Sequence, residues 1–128
     1  MRPGSVSVGS RTIGDGQPCF VLAEVASAHG GSADVALKMI DAAFKMGADG
    51  IKFQLFRADL LVVRRHPARK DFDQIELSVK EWRKVLKAAK ASGLALLAEA
   101  FDPPSLELAR ELDADALKVH TTDMENPE

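Results

Sequence analysis

The sequence holds a single cysteine, Cys19, and no hydrophobic run near the roughly 18 residues that a membrane-spanning helix needs. One cysteine excludes an internal disulfide and fits a reducing compartment. Cys19 itself reads as a small core residue at the start of a strand. No signal-peptide pattern opens the chain, so the expectation is a cytoplasmic protein without membrane contact. Charge of one sign is lacking too: 17 basic residues against 19 acidic ones leave a formal net charge of −2. That balance gives no footprint for nucleic acid or an anionic surface. What is present is 128 residues, 46% of them apolar, enough for the core of one domain.

The apolar residues fall in short runs that end in polar ones. Phe20-Val21-Leu22-Ala23-Glu24, Gly50-Ile51-Lys52-Phe53-Gln54, Leu94-Ala95-Leu96-Leu97-Ala98-Glu99 and Ala116-Leu117-Lys118-Val119-His120 each follow a turn signal and read as strands. Alternation puts Leu22 with Glu24, Lys52 with Gln54, Leu97 with Glu99 and Lys118 with His120. If the strands are parallel neighbours, two carboxylates, two ammonium groups, an amide and an imidazole meet at one rim. Parallel α/β folds bind ligands at the carboxyl ends of their strands. The rim therefore suits a charged small molecule.

Helical patterns separate the strands. Residues 5–16 read as a hairpin with Gly-rich turns, and Ser27-Ala28-His29-Gly30-Gly31 as a loop. A helix is expected from Ser32 to Met46 with Val35, Met39, Ala42, Ala43 and Met46 on its apolar stripe. Ser78-Val79-Lys80-Glu81 matches a capping box opening a helix that buries Trp82, Val85, Leu86 and Ala89. Asp102-Pro103 starts another, carried by Leu106, Ala109, Arg110 and Leu112. The segment between, with Arg57, Arg64, Arg65, His66, Arg69 and Lys70, reads as a long basic loop, solvated by default and otherwise a lid.

An internal echo relates Gly47-Ala48-Asp49-Gly50-Ile51-Lys52 to Asp113-Ala114-Asp115-Ala116-Leu117-Lys118. Repeated helix–turn–strand units indicate an α/β fold. Polar residues facing inward at strand ends favour a TIM-type (βα)8 barrel over an open sheet covered on both faces. A whole barrel takes ~250 residues, so the chain reads as about its first four βα units. The hairpin would occupy residues 1–17 and the partial barrel residues 18–128. Four open parallel strands have two edges to cover, which makes a homodimer closing one barrel an expectation.

Phe20-Val21-Leu22-Ala23-Glu24-Val25, Ser27-Ala28-His29-Gly30-Gly31, Gly47 to Gln54, and Ala116-Leu117-Lys118-Val119 through Asn126 resemble the N-acetylneuraminate (sialic acid) synthase family. The similarity runs from about residue 18 to the end. It implies condensation of phosphoenolpyruvate with the open-chain aldehyde of an N-acylated amino sugar, with release of phosphate. The resemblance also implies a divalent metal, Mn or Mg, whose histidine ligands belong to the other half of the barrel. Carried over by motif, Lys52 binds the phosphate or carboxylate of phosphoenolpyruvate, and Glu24 and Gln54 line the same site. Lys118 meets the anionic substrate, Thr121 lies near its phosphate and Asp123 faces the sugar. Glu24 and Lys118 are the expected catalytic pair; His29 and Glu99 are placed among the substrate-binding residues.

Two positions depart from that pattern. Ala98-Glu99 stands where the family usually has a hydroxyl-bearing pair, and Ala28 and Gly30 flank His29 where it usually has Asn. A carboxylate beside a phosphate repels it unless a lysine or metal bridges them. Glu99 is therefore read equally as a partner for Lys118. His120 is read as a hydrogen-bonded histidine of the core and Asp102 as a helix cap. Two other functions remain open from the residues alone. One is a Schiff-base aldolase using Lys52 or Lys118 as nucleophile; the other is a non-catalytic half-barrel that self-associates.

Overall fold

Four short parallel strands organise residues 4–125, the part of the chain that the computed structural model describes. They are β3 (Leu22–Ala26), β4 (Gly50–Leu55), β5 (Ala95–Ala100) and β6 (Ala116–Leu117), hydrogen-bonded in that order. Strands consecutive in the chain are thus neighbours in the sheet, each reached through a helical connection. The register sets Glu24 opposite Lys52, Gln54 opposite Glu99, and Ala98 opposite Leu117. Before them, β1 (Val6–Val8) and β2 (Arg11–Ile13) form an antiparallel hairpin. It sits at the amino ends of the strands, where Arg11 binds Asp49 at 3.0 Å, far from the polar rim.

Among the described residues, helices cover only one face of the sheet. Ile51, Phe53, Leu55, Leu96 and Ala98 point into a core shared with α1 (Ala33–Lys45), α4 (Val79–Ala91) and α5 (Pro103–Glu111). The alternate residues, Lys52, Gln54, Leu97 and Glu99, face the other side. Trp82, Val85, Leu86 and Ala89 are the buried stripe of α4, and both halves of the Ser78–Glu81 capping box are formed. Asp102 caps α5 by accepting from the Ser105 N–H at 2.8 Å, with Pro103 at the first helical position. No helix among the described residues is long and apolar enough to cross a membrane.

Several expectations need correction. The buried stripe of α1 is Ala33, Ala36 and Ile40, whereas Val35, Ala42 and Met46 face out. Leu37, Met39 and Ala43 pack partly against the same core, so the buried face is turned by about one residue from the expected one. In α5 the buried set is Ser105, Leu108 and Ala109, an i, i+3, i+4 stripe, with Leu106 and Arg110 exposed. Cys19 is exposed, because the strand begins only at Leu22. The strand read over 116–120 pairs only at Ala116–Leu117; beyond it the ladder gains one bond, Lys118 N–H to Ala98 C=O at 2.9 Å. A 3₁₀ turn then spans Thr121–Asp123. The basic segment holds two short helices, α2 (Ala58–Leu61) and α3 (Arg69–Ile75). It is docked: Asp102 and Glu76 accept the backbone N–H groups of Arg57 and Ala58 at 2.8 and 2.9 Å, and Phe72 packs edge-on against Phe56. Asn126 of the resemblance and the outer ends of the two expected segments, 1–17 and 18–128, lie outside the described residues.

Candidate active site

Glu99 is the centre of the polar rim. It is the fifth residue of β5, fully buried, on the face that the helices leave open. Its Oε1 accepts from Lys118 Nζ at 2.6 Å and stands 2.9 Å from His120 Nδ1. Its Oε2 accepts from Lys52 Nζ and Gln54 Nε2, each at 3.1 Å. Burial alone would raise its pKa, but the bonds from Lys118, His120, Gln54 and Lys52 prevail and hold it at about 2. A buried carboxylate with four donors is a satisfied charge, and it fixes the positions of two ammonium groups.

Lys52 carries the second link. Its side chain is 6% exposed, and its ammonium binds Glu24 Oε2 at 2.5 Å besides Glu99. Burial opposes the ammonium form, yet the hydrogen bonds to Glu24 and Glu99 outweigh it and raise the pKa above the ordinary value. Glu24 is the more open of the two carboxylates, with 48% of its side chain exposed against none for Glu99. Its Oε1 accepts from the Ala26 N–H at 2.9 Å, across a register shift in β3 where Ala26 takes φ +48°. That is a left-handed conformation uncommon for a residue with a Cβ, and such backbone clusters at functional sites.

The structure brings Glu24, Lys52, Gln54, Glu99 and Lys118 into one hydrogen-bonded chain across four strands. Asp123 lies beside it, on the wall of a cavity of about 330 Å³ shared with Phe101, Asp102, Lys118 and His120. Thr121 is exposed on the 3₁₀ turn. His29 is not brought in. It is 2% exposed beneath the loop after β3, edge-on to Trp82 with ring centroids 5.3 Å apart. Its Nδ1 accepts from the Gly31 N–H at 3.2 Å, and burial lowers its pKa. His120 is the group that the sequence reading left out of the site. It is no core residue, since 36% of its side chain is exposed. The signal was there in the Lys118-Val119-His120 alternation, which puts both polar side chains on one face.

The class this defines is a parallel α/β domain with paired lysines and carboxylates at its carboxyl rim, the end at which such folds carry their sites. The chain belongs to the NeuB family, whose model matches residues 39–128. It is 30% identical over 129 residues to human N-acetylneuraminate-9-phosphate synthase, covering 91% of this chain and 36% of that protein. It is 27% identical to the N,N'-diacetyllegionaminic acid synthase of Legionella pneumophila, covering 92% of this chain and 37% of that one. Among solved structures it resembles the N-acetylneuraminic acid (sialic acid) synthetase of Leptospira borgpetersenii, determined in complex with citrate. The TM-score is 0.85 at 29% identity, over 95% of this chain and 43% of that one. The chain spans about a third of the length of the curated relatives it matches.

Proposed function

We propose that this chain forms the first half of a TIM-type (βα)8 barrel that condenses phosphoenolpyruvate with an N-acyl amino-sugar aldehyde in nonulosonate biosynthesis. The observation that carries this reading is the pair of lysines, Lys52 and Lys118, fixed on one buried carboxylate at the ends of strands that flank β5. Two aimed ammonium groups suit a ligand with both carboxylate and phosphate. Gln54 adds a neutral donor, Glu24 acts with Lys118 in the chemistry, and Thr121 and Asp123 meet the phosphate and the sugar. The half-barrel reading draws support from a sheet whose inner face has no helix over it.

The charge count adds a condition. Lys52 and Lys118 are balanced by Glu24 and Glu99, so an incoming anion must displace a carboxylate. Glu24, open to solvent, is the one free to move. No group of three or more His, Cys, Asp or Glu among the described residues could hold a metal, so the Mn or Mg that the family implies would take its ligands from the other half of the barrel. Glu99, the best-placed carboxylate, faces only donors.

Lys52 makes a poor Schiff-base nucleophile, because two carboxylates hold it protonated. Borohydride trapping with pyruvate should therefore leave no adduct on Lys52. The deciding experiment measures native mass and thermal stability with and without phosphoenolpyruvate and Mn²⁺. A homodimer that tightens, or a midpoint that rises with phosphoenolpyruvate, is the expected result. A species indifferent to it overturns the reading and leaves a half-barrel that keeps the scaffold without the chemistry.

A further inference from the structure

The chain has three histidines, and their hydrogen bonds put the proton on different nitrogens. His29 Nδ1 accepts from the Gly31 N–H and His66 Nδ1 from the Ala68 N–H, both at 3.2 Å. Each neutral ring therefore carries its proton on Nε2. His120 is the reverse. Its Nδ1 faces Glu99 Oε1 at 2.9 Å, and an ionised carboxylate only accepts, so Nδ1 must be the protonated atom. In the neutral ring Nε2 is then an unprotonated base, and it makes no hydrogen bond within the described residues. The ring is steadied by Phe101, 5.0 Å away between centroids, and lines the cavity of about 330 Å³ with Asp102, Leu117, Lys118 and Asp123.

We propose that His120 is the acid–base group of this site, held by Glu99 as its positioning residue so that a bare Nε2 meets a hydroxyl or water in that cavity. The arrangement is that of a carboxylate orienting an imidazole: the carboxylate fixes the tautomer and stabilises the imidazolium that forms. As the ligand's O–H bond breaks, its proton passes to Nε2, and Glu99 faces the new positive charge. Lys118 shares Glu99 Oε1 and opposes that charge, whereas Asp102 and Asp123 on the cavity wall favour it. Under the condensation reading, on which this last assignment rests, the water that adds to the enol carbon gives up the proton. The imidazolium returns it to the oxygen of the former aldehyde once the carbon–carbon bond has formed, and phosphate leaves with the electrons of its C–O bond, taking up the second water proton as the new carbonyl forms.

The test needs no turnover, so it fails separately from the condensation reading. Long-range ¹H–¹⁵N spectra of the labelled chain at about pH 8, where imidazoles are neutral, report each tautomer directly. His120 should show a pyrrole-like Nδ1 and a pyridine-like Nε2, with His29 and His66 reversed as internal controls. In Glu99→Gln the His120 population should move toward the Nε2–H form. Adding N-acetylmannosamine, a hydroxyl-rich probe, should shift the His120 Nε2 resonance and leave His29 unmoved. A proton found on Nε2 of His120 in the unmodified chain overturns the proposal, whether or not the variant folds. An unchanged tautomer in a folded Glu99→Gln removes Glu99 as the positioning residue, and an Nε2 silent to saturating sugar removes the ligand.

Discussion

Lys52 Nζ lies 3.1 Å from Glu99 Oε2, and the two side chains are 6% and 0% exposed. Such a pair costs much to desolvate, so its worth shows chiefly when one partner goes. Glu99→Ala takes the shared acceptor from Lys52, Lys118, Gln54 and His120 together. It should lower stability by about 3–5 kcal/mol in urea denaturation. The double variant Lys52→Met/Glu99→Leu should lose less than Glu99→Ala alone, because no buried charge is stranded. A single-variant loss under about 1 kcal/mol would show that the rim is solvated and the network loose.

Acid should act on the same carboxylate. Glu99 titrates at about 2 in the fold against an ordinary 4.5, so its contribution is complete above about pH 4.5 and fades as pH falls toward 2. The whole effect is on the order of 3 kcal/mol. Urea midpoints measured across that window should drop in the native chain and stay flatter in Glu99→Gln.

His29 should add an earlier acid limb. Burial lowers its pKa from 6.5, so the unfolded chain takes up a proton that the native chain resists. Stability is therefore full above about pH 6.5 and declines as pH falls through the histidine range. Replacing His29 by Phe should flatten this limb without touching the one below pH 4.5. An unaltered profile would mean that His29 is hydrated in solution.

The sequence made the strand faces, the capping box and the α5 cap legible because each rests on contacts within four residues or on strict alternation. The echo between Asp49 and Asp115 proved to be structural: each accepts a backbone N–H across the sheet, from Val21 at 2.8 Å and from Leu96 at 2.7 Å. What stayed hidden depends on tertiary partners. The stripe of α1 follows which face the helix turns to the sheet and α4, and that face carries Ala36 and Ile40 rather than Val35. The role of Glu99 required β4 and the segment after β6 to supply its donors, so no local pattern distinguished a hub from a single ion pair. His120 was legible in its alternation with Lys118, and only its partner Glu99 had to come from the fold.

That echo yields its own prediction. Asp115 also binds Lys90 at 2.9 Å, so Asp115→Ala strands the Leu96 backbone donor and leaves the Lys90 ammonium only Asp113, 3.6 Å away. The cost should be about 1–3 kcal/mol, with hydrogen exchange at Leu96 accelerating first. Protection at Leu96 equal to that of the native chain would show that the backbone bond does not depend on the side chain.

Glu24 offers the sharpest separation of binding from chemistry. It occupies Lys52 as a ligand carboxylate would, and it is exposed enough to swing away when a real ligand arrives. Glu24→Gln removes this internal competitor and takes the four-residue charge balance of Glu24, Lys52, Glu99 and Lys118 from zero to +1. Phosphoenolpyruvate should then bind tighter by about tenfold in calorimetry, with the gain shrinking as salt is added. If Glu24 also takes part in the condensation, turnover in the complete barrel falls while binding improves, a split that a purely structural ion pair cannot produce. Weaker binding in Glu24→Gln would instead mean that Glu24 aims Lys52 at the anion, and that ligand and carboxylate are held side by side.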